Sequence, residues 1–187
     1  MSPRHLRAVP DVPEHLAADP EPAAAEVART IVLRQLTGSP KSRRQLEEKL
    51  AEKDVPADVA AAVLDRMEDV RLVDDTAYAE DFVRTRQRTK GLARGALRRE
   101  LAQKGVSGEA AEHALEAISE DTEREAAVEL IERRLRGRPV PTGTDAESRA
   151  ERDKAVRRLA GMLARKGYPP SMALGVVKDV LGGTEDD

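Results

Sequence analysis

Apolar residues recur along most of the chain at intervals of three and four. This spacing is typical of α-helices that bury one face and expose the other. Ala79 and Val83 are one such pair, and Leu97 and Leu101 are another. Residues that favour strands are scarce, and the valines lie mostly within the helical pattern. The pattern predicts an all-α protein.

The helical pattern occurs three times. A shift of 51 residues superposes the first copy on the second, and a shift of 62 superposes the second on the third. The first helix of the third copy fits a shift of 48 instead, so this copy holds 62 − 48 = 14 more residues between its first two helices. The matching leucines of the second helix are Leu46 and Leu50, Leu97 and Leu101, and Leu159 and Leu163.

Each copy is too short to bury a large core by itself, but stacked copies share their interfaces. We therefore predict three tandem three-helix repeats that form an elongated, curved solenoid. The predicted repeats are residues 24–73, 74–120 and 121–182. The extra residues of the third copy predict a long loop near 137–148, with room for added helix after it.

The predicted repeats lie between two tails. Residues 1–23 contain five of the eleven prolines and carry a net charge of -2, which predicts a disordered, Pro-rich acidic tail. Residues 183–187 form a short acidic tail.

Several short signals mark helix ends. Ser42 and Gln45 have the spacing of a capping box. The pair Asp74-Asp75 precedes a helix and is expected to cap it. A Lys-Gly pair is typical of a helix C-terminus, and Asp54 replaces the glycine in the first copy. The Lys-Gly pairs are Lys90-Gly91, Lys104-Gly105 and Lys166-Gly167.

The sequence shows no catalytic constellation. It has no cysteine, and its three histidines are scattered, with His113 expected on a helix surface. No phosphate-binding or zinc-protease motif occurs, so we predict a protein that is not an enzyme and needs no metal or cofactor. No apolar run is long enough to cross a bilayer and no secretory signal is visible, so we expect a cytoplasmic protein without a membrane partner.

Positive charge is concentrated in one stretch of a chain whose net charge is -3. Residues 83–105 hold eight basic residues and one acidic residue. Spacings of four align several of them along a helix, and arginine suits paired contacts with phosphate or carboxylate. The predicted binding residues are Arg84, Arg86, Arg88, Lys90, Arg94, Arg98 and Arg99. A second, weaker patch comprises Arg157, Arg158, Arg165 and Lys166.

The alternative is a purely structural role, in which the same stretch is a solvated helix face with ion pairs to Glu80, Asp81 and Glu100. Under the binding interpretation, reversing the charges of Arg94 and Arg98 should leave the fold intact. The three copies carry net charges of 0, -1 and +3, which argues against tight binding to bare DNA. An acidic protein surface, or a protein already carrying nucleic acid, fits better.

Residues 24–182 resemble the RecX family of bacterial recombination regulators. The strongest segment is RLVDDTAYAEDFVRTRQRTKGLARGALRRELAQKGV, residues 71–106. It has the family's apolar-Asp-Asp start, aromatic-Ala pair, spaced arginines, glycine and Lys-Gly helix end. The segment SPKSRRQLEEKLAEKDV, residues 39–55, is similar to the corresponding part of the first repeat but has Asp54 where glycine is usual.

The resemblance implies a function. Members of this family bind the filament that the RecA recombinase forms on single-stranded DNA, in its groove or at its end, and inhibit its ATPase, strand-exchange and co-protease activities. The resemblance therefore implies a negative regulator of homologous recombination, DNA repair and the SOS response. We expect it to act as a monomer.

Two other interpretations stay open at this point. One is a direct DNA-binding helical regulator of transcription, because helix-turn-helix proteins also use short helix pairs. The other is a helical adaptor without a role in nucleic-acid binding. The first predicts tight, salt-sensitive binding to naked duplex DNA, and the second predicts partner binding that does not depend on DNA or on the arginines.

Overall fold

The structure is a computed structural model that describes residues 20–137 and 140–182. Within these residues the chain forms nine α-helices and no strand, which confirms the all-α prediction. The helices are α1 (Pro20–Gly38), α2 (Arg43–Ala51), α3 (Ala57–Asp69), α4 (Asp75–Lys90), α5 (Arg94–Gln103), α6 (Glu109–Glu116), α7 (Glu120–Leu135), α8 (Ala146–Arg165) and α9 (Pro170–Gly182).

The predicted tails lie outside the described residues, except for residues 20–23. These four residues form the start of α1, which begins at Pro20. Proline is tolerated there because the first N–H groups of a helix have no intrahelical acceptor, and because its fixed φ suits the first turn. Proline content alone therefore extends the predicted tail too far.

The first compact unit comprises residues up to Pro40 and Leu46–Leu72. Within it α1 packs against α3. Apolar side chains from α1, α2 and α3 form its core. The fully or almost fully buried ones are Ala28, Val32, Leu46, Leu50, Leu64 and Met67.

The second compact unit comprises Lys41–Gln45 and the chain from Val73 onward. It contains two apolar clusters. In the first, α4, α5 and α6 meet through buried residues that include Ala79, Val83, Leu97, Leu101 and Leu115. In the second, α7, α8 and α9 enclose buried residues that include Ala127, Ile131, Leu159, Leu163 and Val177, together with Ala93 from the segment before α5.

The predicted helix ends are confirmed. Gly91, Gly105 and Gly167 have φ angles of 57°, 82° and 90°, in the left-handed region that glycine adopts most readily. Asp54 has φ 56°, so it takes the same conformation in the first copy. After these turns, Val106 N–H donates to the carbonyl of Leu101 at 3.0 Å and Tyr168 N–H donates to that of Leu163 at 3.2 Å.

The predicted caps are also confirmed, and one of them has an unexpected partner. Ser42 N–H donates to Gln45 Oε1 at 3.2 Å, and Gln45 N–H donates to Ser42 Oγ at 3.3 Å, which is a capping box. Asp74 caps α4 by accepting from the N–H of Ala77 at 2.9 Å. Asp75 instead accepts from the N–H of Arg43, the first residue of α2, at 2.9 Å.

The extra length of the third copy is mostly helix. Helix α8 has 20 residues, whereas α5 has 10 and α2 has 9. The helix begins at Ala146, inside the range near 137–148 predicted as a loop, and Asp145 caps it by accepting from the N–H of Ser148 at 2.9 Å. An Asp with Ser three residues later is a strong start signal.

Two joints within the second unit repeat the same geometry. In each joint, the start of the second helix of one copy makes two hydrogen bonds. A backbone N–H group donates to a carboxylate at the start of a later helix, and a neighbouring group donates to the carbonyl of the lysine in a Lys-Gly pair. The first joint comprises Arg43 N–H to Asp75 at 2.9 Å and Ser42 Oγ to the carbonyl of Lys104. The second comprises Arg94 N–H to Glu123 at 2.7 Å and Ala93 N–H to the carbonyl of Lys166 at 2.9 Å.

Candidate partner-binding surface

Four of the seven basic residues predicted on α4 and α5 form ion pairs within the protein. Arg84 and Arg86 pair with acidic residues that the purely structural interpretation names, whereas Arg94 and Arg98 pair with acidic residues that are more distant in sequence. The pairs are Arg84 with Asp81 at 2.6 Å, Arg86 with Glu100 at 3.2 Å, Arg94 with Glu123 at 3.3 Å, and Arg98 with Glu112 at 2.6 Å.

Arg94 holds a buried carboxylate. Glu123 is 2% exposed and accepts from both the backbone N–H of Arg94 and its Nε. Because a buried charge is costly without a partner, reversing the charge of Arg94 would bring a second carboxylate against Glu123. For Arg94, unlike Arg98, we therefore expect charge reversal to destabilise the fold.

Arg98 makes a paired contact between α5 and α6. Its Nε donates to one oxygen of Glu112 at 2.6 Å and its Nη2 donates to the other at 2.7 Å. The hydrogen bond raises the pKa of Arg98 and lowers that of Glu112. Both side chains are about half exposed, and the carboxylate of Glu112 already offsets the charge that Arg98 would offer to an external anion.

Arg86 is held by an aromatic pair as well as by Glu100. Its guanidinium lies 5.1 Å from the centre of the Phe82 ring, and that ring stacks on Tyr78 at 6.0 Å. Phe82 and Tyr78 themselves pack against the first apolar cluster of the second unit. Arg86 is therefore part of the packing of α4.

Arg88, Lys90 and Arg99 are exposed, and no side-chain ion pair joins them to any other described residue. Arg88 lines a cleft of about 380 Å³ together with Arg84 from α4 and Arg133 from α7. These are the members of the predicted strip whose charges are least neutralised by the protein itself.

Lys166, from the second predicted patch, points back into the protein. Its Nζ donates to the carbonyl of Lys90, at the end of α4. Burial lowers the pKa of Lys166, and the nearby charges of Arg133 and Lys90 lower it further. Tyr168 supports the same turn, because its hydroxyl donates to the carbonyl of Gly91 at 3.2 Å. Lys166 thus stabilises a helix C-terminus.

The other three members of the second patch are exposed on α8. Arg158 and Arg165 line a cleft of about 260 Å³ with Arg134 from α7, over the apolar side chains of Leu159 and Met162. Arg157 is not among the residues that line it. Sequence reasoning did not name Arg134, although it lies in the basic segment RRLRGR that follows Glu132.

Among the described residues, the remaining histidine and the acidic residues form no further candidate site. His113 lies on α6 with an exposed side chain, 3.3 Å from Glu80. Among residues 20–137 and 140–182, no group of His, Cys, Asp and Glu is arranged to hold a metal ion. None of the helices described is both long enough and apolar enough to cross a membrane.

The chain is similar to proteins of one family along most of its length. Residues 28–67 match the model of the first RecX three-helix domain, and residues 74–115 match that of the second. A relative from Streptomyces coelicolor, named regulatory protein RecX, is 43% identical over 169 residues, which are 90% of this chain and 85% of the relative. A relative of the same name from Mycolicibacterium vanbaalenii is 41% identical over 178 residues, which are 95% of each chain.

Solved structures support the same assignment. A crystal structure of regulatory protein RecX is 26% identical and superposes with a TM-score of 0.71, covering 90% of this chain and 80% of the other. A crystal structure of RecX from Lactobacillus salivarius has the same TM-score of 0.71 at 22% identity, covering 85% of this chain and 97% of the other, and so shares the fold. The chain therefore belongs to the RecX family.

Proposed function

We propose that this chain is a negative regulator of the RecA recombinase. In this proposal it binds the filament of RecA on single-stranded DNA, in the groove or at the end, and inhibits ATP hydrolysis, strand exchange and co-protease activity. It would thereby modulate recombination, DNA repair and the SOS response in the cytoplasm. It would act by binding alone, as a monomer, without a cofactor or an active site of its own.

The observation that carries the proposal is the similarity to proteins named regulatory protein RecX, at 43% identity over 90% of this chain. The charge distribution supports a composite partner. The chain has a net charge of -3, so a general attraction to DNA is weak, yet basic side chains are gathered on α4, α5 and α8.

We assign the predicted basic residues unequal weights in partner binding. Exposed residues without a described acid partner, such as Arg88, Lys90 and Arg99, can meet an external anion without breaking a contact. The charges of Arg84, Arg86, Arg94 and Arg98 are already offset by Asp81, Glu100, Glu123 and Glu112, respectively, so these residues attract an external anion less strongly. In the second patch, Arg157, Arg158 and Arg165 are the exposed candidates, and Lys166 is the least available.

ATP hydrolysis by the cognate RecA on single-stranded DNA tests the function. We expect strong inhibition when this protein is added well below equimolar amounts, because a regulator of filament growth or integrity acts on many subunits at once. A sample that is folded and helical by circular dichroism, yet does not inhibit, would contradict the proposal.

The same assay tests the weights. We expect the double variant Arg88→Gln/Arg99→Gln to need several-fold more protein for half-inhibition. The matched control is Arg98→Gln, which removes a charge from the same helix as Arg99 but one already engaged by Glu112. Equal potency of the double variant and the unmodified protein would remove Arg88 and Arg99 from the partner-binding surface.

A further inference from the structure

The cleft between α7 and α8 gathers three arginines over an apolar floor. Arg134 comes from the last turn of α7, and Arg158 and Arg165 come from α8, where they are seven residues apart and so lie on one side of the helix. The floor is formed by the partly exposed Met162 above the buried Leu159, and the cleft has a volume of about 260 Å³.

These three charges are not neutralised by the part of the chain that the structure describes. None of the described residues that line the cleft is acidic. No described ion pair includes Arg134, Arg158 or Arg165, whereas four of the arginines on α4 and α5 are paired. Like charges repel one another at this range, so the arrangement favours an external anion.

The chemistry of the lining distinguishes between anions. A nucleic-acid strand offers phosphates and bases, and its bases gain most from aromatic side chains, which this cleft lacks. A peptide with acidic and apolar side chains offers both a carboxylate for the guanidinium groups and an aliphatic group for Met162. Arginine also pairs with carboxylates through two parallel hydrogen bonds.

We propose that this arginine cleft binds an acidic peptide segment in which carboxylates alternate with aliphatic side chains. It engages the segment through Arg134, Arg158 and Arg165, with an aliphatic side chain seated on Met162. The proposal rests on the proposed function in one respect: the acidic segment is taken to belong to the protein that this chain regulates. The cleft lies on the third copy, so it adds a second contact to the basic strip of α4 and α5.

Fluorescence anisotropy with the full chain tests the site directly. The probes are a labelled synthetic peptide of Glu interspersed with Leu, the same peptide with Gln at every Glu, and an oligodeoxythymidine of matched length. The protein variants are the triple variant Arg134→Gln/Arg158→Gln/Arg165→Gln and the control Lys154→Gln, which removes one exposed charge from α8 outside the cleft. Circular dichroism verifies that each variant retains its helices.

We expect the unmodified protein to bind the acidic peptide and not the Gln peptide. The triple variant should bind at least about tenfold more weakly, because three charge-assisted contacts are lost, while Lys154→Gln stays within about twofold. Undiminished binding by a folded triple variant would overturn the proposal. So would absence of binding to the acidic peptide, or tighter binding of the oligodeoxythymidine that the triple variant weakens.

The outcome is separable from that of the proposed function. A protein that inhibits RecA but does not bind the acidic peptide keeps its regulatory function and lacks this site. A protein that binds the peptide through the three arginines but leaves RecA uninhibited keeps the site and loses the proposed function.

Discussion

Single ion pairs decide which basic residues are structural. Arg94 and Arg99 lie on the same helix, five residues apart. The sequence pattern does not distinguish between them, because it does not show which acidic residue each one contacts. Arg94 meets a carboxylate that is 2% exposed, whereas Arg99 is exposed and joined to no described acid. The two residues therefore have different consequences when their charge is reversed.

We expect Arg94→Glu to lower the free energy of unfolding by at least about 2 kcal/mol, because it removes a charged hydrogen bond and places two carboxylates together. The matched variant Arg99→Glu should change it by less than about 0.5 kcal/mol. Urea denaturation followed by circular dichroism measures both. Equal stabilities of the two variants would show that Glu123 does not depend on Arg94.

Tyr168 makes a second residue-scale prediction, which concerns pH. Burial raises the pKa of Tyr168 to about 12, with smaller contributions from Glu123 and Glu129, against 10.0 for an ordinary tyrosine. Between these values the unfolded chain has released a proton that the folded protein keeps. The contribution of the raised pKa of Tyr168 to the free energy of unfolding is therefore complete below pH 10, and it is lost as the pH rises toward 12.

The comparison with Tyr168→Phe isolates this effect. Near neutral pH the variant should be less stable by about 1 kcal/mol, because the hydrogen bond to Gly91 is lost. Since phenylalanine does not titrate, this difference should shrink and then reverse as the pH rises above about 10. Urea denaturation at several pH values measures the two curves, and parallel curves would contradict the assignment.

At the scale of helices, the ends are as informative as the faces. In the second joint, the start of α5 approaches the end of α8 so closely that a Cβ on Gly95 would lie 2.6 Å from the carbonyl oxygen of Gly167. Gly161, in the interior of α8, has its nearest neighbour at 3.6 Å, the flexible end of Arg165. A side chain larger than that of glycine would therefore clash with the backbone at position 95, whereas position 161 has room for one.

We expect Gly95→Ala to destabilise the protein by more than about 1 kcal/mol, because two backbone segments have to separate. Gly161→Ala should stabilise it by about 0.5 to 1 kcal/mol, because alanine is the better helix former. Thermal denaturation of both variants should show shifts of opposite sign. Stabilisation by both substitutions would show that the joint adjusts freely.

Local signals in the sequence predict the helices and their ends, and long-range partners escape them. The spacing of Leu97 and Leu101 and the Lys104-Gly105 pair are sufficient to place α5 and its C-terminus. Glu123, which neutralises Arg94, lies 29 residues further along the chain, and Glu112, which neutralises Arg98, lies 14 further. Such pairings depend on how helices pack, so the sequence distinguishes poorly between a binding arginine and a structural one.

At the scale of the whole molecule, net charge separates two kinds of DNA-related function. The chain carries -3 overall, and residues 83–105 hold eight of its 32 lysines and arginines against one acidic residue. A protein that binds bare duplex through phosphates usually carries a basic domain, and its affinity falls steeply with salt.

We therefore expect no saturable binding to naked duplex DNA at physiological salt, at protein concentrations that half-inhibit RecA. Fluorescence anisotropy with a labelled duplex measures this, with the RecA filament on single-stranded DNA as the positive comparison. Tight, salt-sensitive binding to the duplex would instead favour a direct DNA-binding regulator of transcription.

The long helix α8 has a consequence for how many copies the chain can hold. In both joints the donated N–H belongs to the first residue of a second helix, Arg43 of α2 or Arg94 of α5, which has no acceptor within its own helix. The shift of 62 residues places Val156 at the corresponding position of the third copy (94 + 62 = 156). Val156 lies inside α8, which begins at Ala146, so its N–H is committed to the helix. A further copy could therefore not form a joint of this kind at α8, because the backbone donor on which the other two joints depend is already used within the helix.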